Sequence, residues 1–350
     1  MLNILEKIKL QVSNNLPFVL YSDFGKSIIK AIFQTKSQTF IVKDFNESGF
    51  IFSPYNFINN SYIIPNEFSE RQEFNFLKSE RREKYLKFSD NDSKNHKILV
   101  AKAVKYIKES DLKKVVLARS LKLKDYKLNL IQFFFDIAEA YPECYNYLWY
   151  HPQTGYWLGA SPESLLNIKE DQLETMALAG TKAYNSSKEV SWDEKNIKEQ
   201  AFVTDFIEEN LKKYLDSITK SKTRTVKSGG LLHLQTKISG YLKDSTILKS
   251  LLSDLHPTPA VCGYPKKLAQ SFINDNETMD RKFYSGFLGL INDQSDKSTV
   301  SSNLVVNLRC MQYRNNTIEL FAGSGITEKS EPEIEWMETQ SKLKTLISFL

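Results

Sequence analysis

The residues best suited to chemistry lie near the C-terminus, in Glu335-Trp336-Met337-Glu338-Thr339-Gln340-Ser341-Lys342. They follow a glycine turn, Ala322-Gly323-Ser324-Gly325, and an acidic run from Glu328 to Glu333, and they read as the first turns of a terminal helix. Helical residues three and four apart share a face, so Glu335, Glu338 and Lys342 point the same way. Two carboxylates beside an ammonium suit a Mg²⁺ ion that must also hold an anionic ligand. Alone, such a stripe more often means a solvated helix face with an i,i+4 Glu–Lys pair.

The company it keeps changes that reading. Four other segments pair reactive side chains with small residues: Lys113-Lys114-Val115-Val116-Leu117-Ala118-Arg119, Gly159-Ala160-Ser161-Pro162-Glu163, Glu174-Thr175-Met176-Ala177-Leu178-Ala179-Gly180-Thr181 and His256-Pro257-Thr258-Pro259-Ala260-Val261-Cys262-Gly263. If the first is a strand, its pleat sets Lys114 with Val116 and Ala118, and Lys113 with Val115 and Leu117; periodicity alone does not say which set lines a site. Pro162 fixes the approach of the chain to Glu163. A lone Pro-Glu also suits a helix N-terminus, where a carboxylate is favoured.

The elements that must hold these groups follow from patterning. Short apolar segments at 18–21, 39–42, 49–52 and 62–64 alternate with polar turns and predict strands. A polar stretch over 79–97 precedes a predicted helix at 98–109. Strands are predicted at 114–123, 146–151 and 155–159, with a helix at 131–141. A helix over 193–214 takes Ser191 as its cap, with Glu194 three residues later. Segments 286–292, 301–312 and 317–323 read as neighbouring strands of one antiparallel sheet. Antiparallel strands with segregated helices make the class α+β.

Composition sets the bounds. With 350 residues, 41% apolar and 25% charged, the chain is an ordinary globular protein, large enough for a sizeable core. Its net charge of +5 comes from 47 basic and 42 acidic residues without a basic run, which fits a small anionic ligand and argues against nucleic acid. Three cysteines, Cys144, Cys262 and Cys310, are too few and too scattered for a disulfide framework, and no Cys/His cluster offers zinc. There is no signal h-region and no membrane-spanning apolar run, so a cytoplasmic protein is expected.

The order and spacing of the five segments resemble the chorismate-utilising enzymes, the group containing anthranilate synthase component I, aminodeoxychorismate synthase, salicylate synthase and isochorismate synthase. The resemblance covers roughly residues 95–346. It implies large antiparallel β-sheets packed in a sandwich with helices on the outside, with 95–346 as the chorismate-binding catalytic domain. Residues 1–94 would be a variable N-terminal part of the same integrated unit.

What the resemblance implies about chemistry is specific. Its members displace the C4 hydroxyl of chorismate while adding a nucleophile at C2. Ammonia-adding members typically carry glutamine just before the Val-Val-Leu-type strand, and water-adding members carry lysine, which in its neutral form can take a proton from water. Lys114 stands there, so it is the implied general base, and Glu163 is the implied general acid. An acid of that kind needs a raised pKa, hence partial burial away from compensating cations. Mg²⁺ is implied, held by Glu199 and Glu338 with Glu335 in an outer shell. Relatives often carry an acid at the position of Asn196 and a histidine at that of Gln200; the first departure predicts a weaker outer metal shell with the same reaction.

Substrate contacts implied by the resemblance are Gly180, Thr181, Tyr284, Arg309, Gly323 and Lys342. Arg309 can grip a carboxylate bidentately, Lys342 adds a point charge, and Gly323 would let its N–H approach the ligand. His233 and His256 either line the site or hold structure, while His96 and His151 have no such case. Ala260, after Thr-Pro, favours an isochorismate synthase, an isomerase feeding menaquinone or siderophore biosynthesis. A salicylate synthase, an ammonia-adding component and a non-catalytic chorismate-binding protein stay open. Water addition implies no obligatory glutaminase subunit, and a monomer is expected.

Overall fold

Runs rich in aromatic and β-branched residues, such as Phe18–Ser22 and Tyr145–His151, form strands buried on both faces, as layers covered from both sides require. The computed structural model describes residues 4–57, 60–75, 90–184, 190–244, 248–294 and 299–350. Within these residues the strands build two nine-stranded sheets with antiparallel neighbours. The first runs in the order Gly263–Tyr264, Lys114–Leu123, Thr317–Ile326, Cys310–Arg314, Gly155–Ser161, Tyr145–His151, Phe18–Ser22, Ile28–Gln34, Ser69–Asn75. The second centres on Gln172–Ala183, flanked by Leu231–Tyr241 and Ser164–Lys169, and continues through Ser301–Val306 and Phe287–Asp293 to Gly49–Ser53 and Tyr62–Pro65.

The sheets face each other across an aromatic layer in which Phe52 of one meets Trp149 of the other at 5.2 Å between ring centroids. Helices cover the outsides. Pro332–Ile347 lays Leu343, Leu346 and Ile347 with Phe133 and Phe134 of Leu130–Ala140 onto the first sheet, and Glu194–Leu211 lays Val203 and Ile207 onto the second. This is the expected α+β sandwich. Strands from the first 75 residues belong to both sheets. Among the described residues, no helix is long and apolar enough to cross a membrane.

Several predicted elements change in the fold. Strand Lys114–Leu123 falls where expected, but the helix predicted at 98–109 starts at Asp90. Its first turns lack apolar periodicity; they are held instead by His96 against Trp336, ring centroids 6.0 Å apart, and by a Lys97–Glu333 ion pair. Residues 79–89 of the polar stretch lie outside the described residues. Segment 39–42 contributes only an isolated bridge, Ile41 to Tyr62. The pattern missed Ile4–Ser13, Ile28–Gln34 and Ser69–Asn75. The cap of the 194–211 helix is Asp193 rather than Ser191: its side chain accepts from the Asn196 N–H.

The largest correction concerns 301–312, read as one strand of a single sheet with its neighbours. It is two strands in different sheets, Ser301–Val306 and Cys310–Arg314, and the chain crosses between the sheets at Asn307-Leu308-Arg309. Asn307 pins the crossing: its Oδ1 accepts from Tyr147 Oη at 2.6 Å and its Nδ2 donates to the Phe283 carbonyl at 2.8 Å. Arg309 then adopts φ +47°, left-handed backbone that a long side chain holds only under tertiary constraint.

Candidate active site

One cavity lies between the sheets and takes walls from both, including Val116, Gly180, His233, Tyr284, Phe321 and Gly323. Glu199 and Lys342 reach it from the covering helices. The Lys114–Val116–Ala118 set is thus the face toward the site, while Val115 and Leu117 join the helix-covered apolar cluster with Val100 and Phe272.

Lys114 is fully buried, and its Nζ stands 3.0 Å from Glu199 Oε1. A buried ammonium needs such a partner, since desolvation alone would expel it. The pair meets beside Gly325, whose register partner across the strand is Val116. A Cβ on Gly325 would fall inside contact distance of Glu199 Oε1 and 3.0 Å from Lys114 Cε, so any side chain there would have to displace the Lys114–Glu199 pair. The sequence reading missed Gly325; its alternation with Gly323 on one strand face was the available signal.

Glu163 is 3% exposed, between strands Gly155–Ser161 and Ser164–Lys169 rather than at a helix N-terminus. Burial pushes its pKa up to about 8, against the lowering pull of Lys114, Lys342 and Arg309. The rise comes from burial and not from distance from cations: desolvation outweighs three of them. At neutral pH this carboxyl is mostly protonated.

The cationic wall of the cavity is built on Arg309, 7% exposed, with burial drawing its pKa down. Its Nε is buried without a hydrogen-bond partner among the described residues, and its Nη2 points at His233 Nε2, 3.4 Å away. His233 Nδ1 lies 2.8 Å from the Gly180 carbonyl, an acceptor, so Nδ1 carries the proton and Nε2 accepts from Arg309. Burial, then the Arg309 charge, lowers its pKa to about 3, and the ring is neutral. Tyr284 stacks on Phe321 at 5.6 Å. Gly323 makes room for the Tyr284 hydroxyl and the Leu117 carbonyl, which a Cβ would meet at 3.0 and 2.9 Å, and its own carbonyl accepts from Lys342 Nζ at 2.8 Å.

The three helix-borne carboxylates separate in role. Glu338 Oε1 pairs with Lys342 Nζ at 2.7 Å; burial would raise its pKa, but Lys342, Lys195 and Arg309 hold it below the usual carboxylate range. Glu335, fully buried, pairs with Lys195. Burial tends to lower the pKa of Lys195, yet Glu335, Glu199 and Glu338 together hold it above the lysine range, so one ammonium feels all three. Sequence reasoning gave no role to Lys195. Among the described residues, no group of three or more His, Cys, Asp or Glu side chains converges as a self-sufficient metal cluster.

Ala260 lines the cavity as expected. His256 does not. Its Nε2 donates to the Tyr55 carbonyl at 3.2 Å, and its ring stands edge-on to Phe287 at 5.0 Å. The Pro-rich loop turns this histidine into the apolar layer, where it serves structure. His151 is likewise structural, accepting at Nδ1 from the Gln153 N–H.

The chain is 33% identical to the isochorismate synthase MenF of Haemophilus influenzae, over 71% of this chain and 59% of that protein. It is 32% identical to the isochorismate synthase DhbC of Bacillus subtilis, over 54% of this chain and 49% of that protein. The chain thus spans about half to three fifths of the lengths of these curated relatives. The structure of MenF, the menaquinone-specific isochorismate synthase from Escherichia coli, superposes with a TM-score of 0.78 at 22% identity, covering 95% of this chain and 88% of that one, a likeness of fold. Residues 59–350 match the family model described as chorismate binding enzyme. With that match across most of its length, the chain belongs to the chorismate binding enzyme family.

Proposed function

We propose that this protein is an isochorismate synthase, adding water at C2 of chorismate with loss of the C4 hydroxyl, reversibly. The observation that carries the reading is the pairing of opposites at one cavity: a buried lysine, Lys114, which reaches the cavity through its contact with the lining residue Glu199, and a buried lining carboxyl, Glu163, kept mostly protonated at neutral pH. In the forward direction Lys114 takes a proton from the water whose oxygen bonds to C2, a step that requires it to act as the free amine and not as the ammonium paired with Glu199. The ring double bonds shift, the C4–O bond breaks, and Glu163 gives its proton to the departing hydroxyl, which leaves as water. Reversal exchanges the two roles. Arg309, with an unpartnered Nε, and Lys342 supply cationic donors for the substrate carboxylates.

Mg²⁺ fits the donor set. It asks for few carboxylate oxygens plus water and substrate oxygen, and Glu199 and Glu338, from different helices, direct negative field at the same Lys195 ammonium. These two would hold the ion, with Glu335 kept outside by Lys195. Bound there, it would neutralise and orient a substrate carboxylate. A lysine at position 114 supports water rather than ammonia as nucleophile, so the reading needs no glutaminase subunit; it also takes the enzyme as a cytoplasmic monomer. It also takes residues 1–94 as part of one unit with 95–346. Incubating the protein with chorismate and Mg²⁺ and identifying products by NMR tests it: isochorismate is expected, whereas salicylate with pyruvate, or anthranilate in ammonia, would replace it by one of the neighbouring reactions.

A further inference from the structure

Strand Gln172–Ala183 loses register with Leu231–Tyr241 between Ala179 and Lys182, so Gly180 and Thr181 form a bulge on the cavity wall. A bulge leaves backbone groups without ladder partners. The Thr181 N–H finds its acceptor on another element: Asn196 Oδ1, 3.1 Å away, on the helix that carries Glu199. Gly180, at φ +72°, lies flat against the same side chain, for a Cβ there would stand 3.2 Å from Asn196 Oδ1. The other end of the amide is also committed. Asn196 Nδ2 donates to Asp193 Oδ1 at 2.9 Å and Oδ2 at 2.7 Å, while the Asn196 N–H completes the helix cap on the same carboxylate.

Asparagine is the side chain this arrangement needs, because it accepts at one end and donates at the other. An aspartate would still accept from Thr181 but would set a carboxylate against that of Asp193. Beyond the bulge, the Gly180 carbonyl accepts from His233, and His233 accepts from Arg309. A continuous series of hydrogen bonds therefore joins the helix cap to the cationic wall of the cavity.

We propose that Asn196 is a positioning residue for the Gly180–Thr181 bulge, and through it for His233 and Arg309, rather than a weakened member of a metal shell. The proposal rests on reading the cavity as the chorismate site. It deepens that reading, because the departure from the acid found in relatives becomes a structural coupling with Asp193.

The turnover test uses the full chain with Mg²⁺ and three variants, Asn196→Asp, Asp193→Asn and the two combined as a swap. Asn196→Asp is expected to lower kcat/KM for chorismate about tenfold, the scale of one disturbed buried polar contact, with the half-saturating Mg²⁺ concentration unchanged. The swap is expected to restore kcat/KM, since an amide at position 193 can donate to a carboxylate at position 196 while still capping the helix. Tighter Mg²⁺ binding by Asn196→Asp with undiminished kcat/KM, or a swap no better than Asn196→Asp, would overturn the proposal. A readout independent of turnover separates its failure from failure of the proposed reaction: amide hydrogen exchange in the free protein. Thr181 N–H should lose about tenfold protection in Asn196→Ala, and unchanged protection would refute the anchor whatever the enzyme catalyses.

Discussion

His233 and His256 occupy two regions that look alike by burial. They are 4% and 1% exposed, burial lowers each pKa to about 3, and each donates to a backbone carbonyl. Yet one belongs to the cavity wall and the other to the apolar layer. The second ring nitrogen makes the difference. His233 Nε2 faces the Arg309 guanidinium at the edge of a cavity, whereas His256 Nδ1, buried among aromatic rings, has no hydrogen-bond partner among the described residues. A depressed histidine is therefore not in itself the mark of a site. A polar neighbour that is itself incompletely satisfied, next to space a ligand can fill, is the better mark.

The sharpest way to break the distinction is to attack the cavity side. Lys114→Ala and Glu163→Gln should each lower isochorismate formation, and its reversal, about 10²–10⁴-fold, the usual scale for loss of a general base or acid. Steady-state rates above about a tenth of the parent would remove either residue from the chemistry. Glu338→Gln should come next, with turnover at saturating Mg²⁺ down about a hundredfold and the circular dichroism spectrum unchanged; near-normal turnover would exclude it as a metal ligand. Arg309→Lys keeps the charge and loses the planar fork, so chorismate binding should weaken by roughly 1–3 kcal/mol, read mainly in KM.

The two histidines supply a smaller, direct test. His233→Ala should lower kcat/KM about tenfold, because Arg309 and Gly180 lose their shared partner, with little change in Tm. His256→Ala should do the reverse, lowering Tm while kcat/KM stays within about twofold. Equal effects on both quantities in both variants would erase the contrast between the regions.

A separate effect is on stability against pH. Glu163 has a folded pKa near 8, above its ordinary 4.5, so the folded state binds more protons between these values. Its contribution is fully present below about 4.5 and is lost as pH rises through about 8. Glu163→Gln should therefore gain Tm relative to the parent between pH 6 and pH 9. A Tm difference independent of pH would mean that the carboxyl is not held protonated.

How much of this was legible in the chain depends on the range of the interaction concerned. Strand Lys114–Leu123 and the terminal helix were readable, because alternation and helical spacing are local. The crossing at Arg309 was not, because 301–312 has the composition of one continuous strand and the break is imposed by Asn307 bonding to Tyr147 and Phe283. The first turns of Asp90–Lys108 escaped for the same reason, being held by the terminal helix rather than by their own pattern.

The chain itself determined which groups could act: a lysine opening an apolar strand, a glutamate after Ser-Pro, carboxylates at helical spacing and an arginine among apolar residues. Those are matters of residue type and short spacing, which need no knowledge of distant partners. Packing determined the rest: that Glu335 turns to Lys195, that His256 faces aromatic rings, that Gly325 clears the way for Lys114 and Glu199, and that Asn196 holds a bulge fifteen residues before it. Each of these depends on sheet register and on which helix covers which face. The short range of hydrogen bonds and ion pairs makes such partnerships matters of a few ångströms between remote segments, and only the assembled fold brings those segments together.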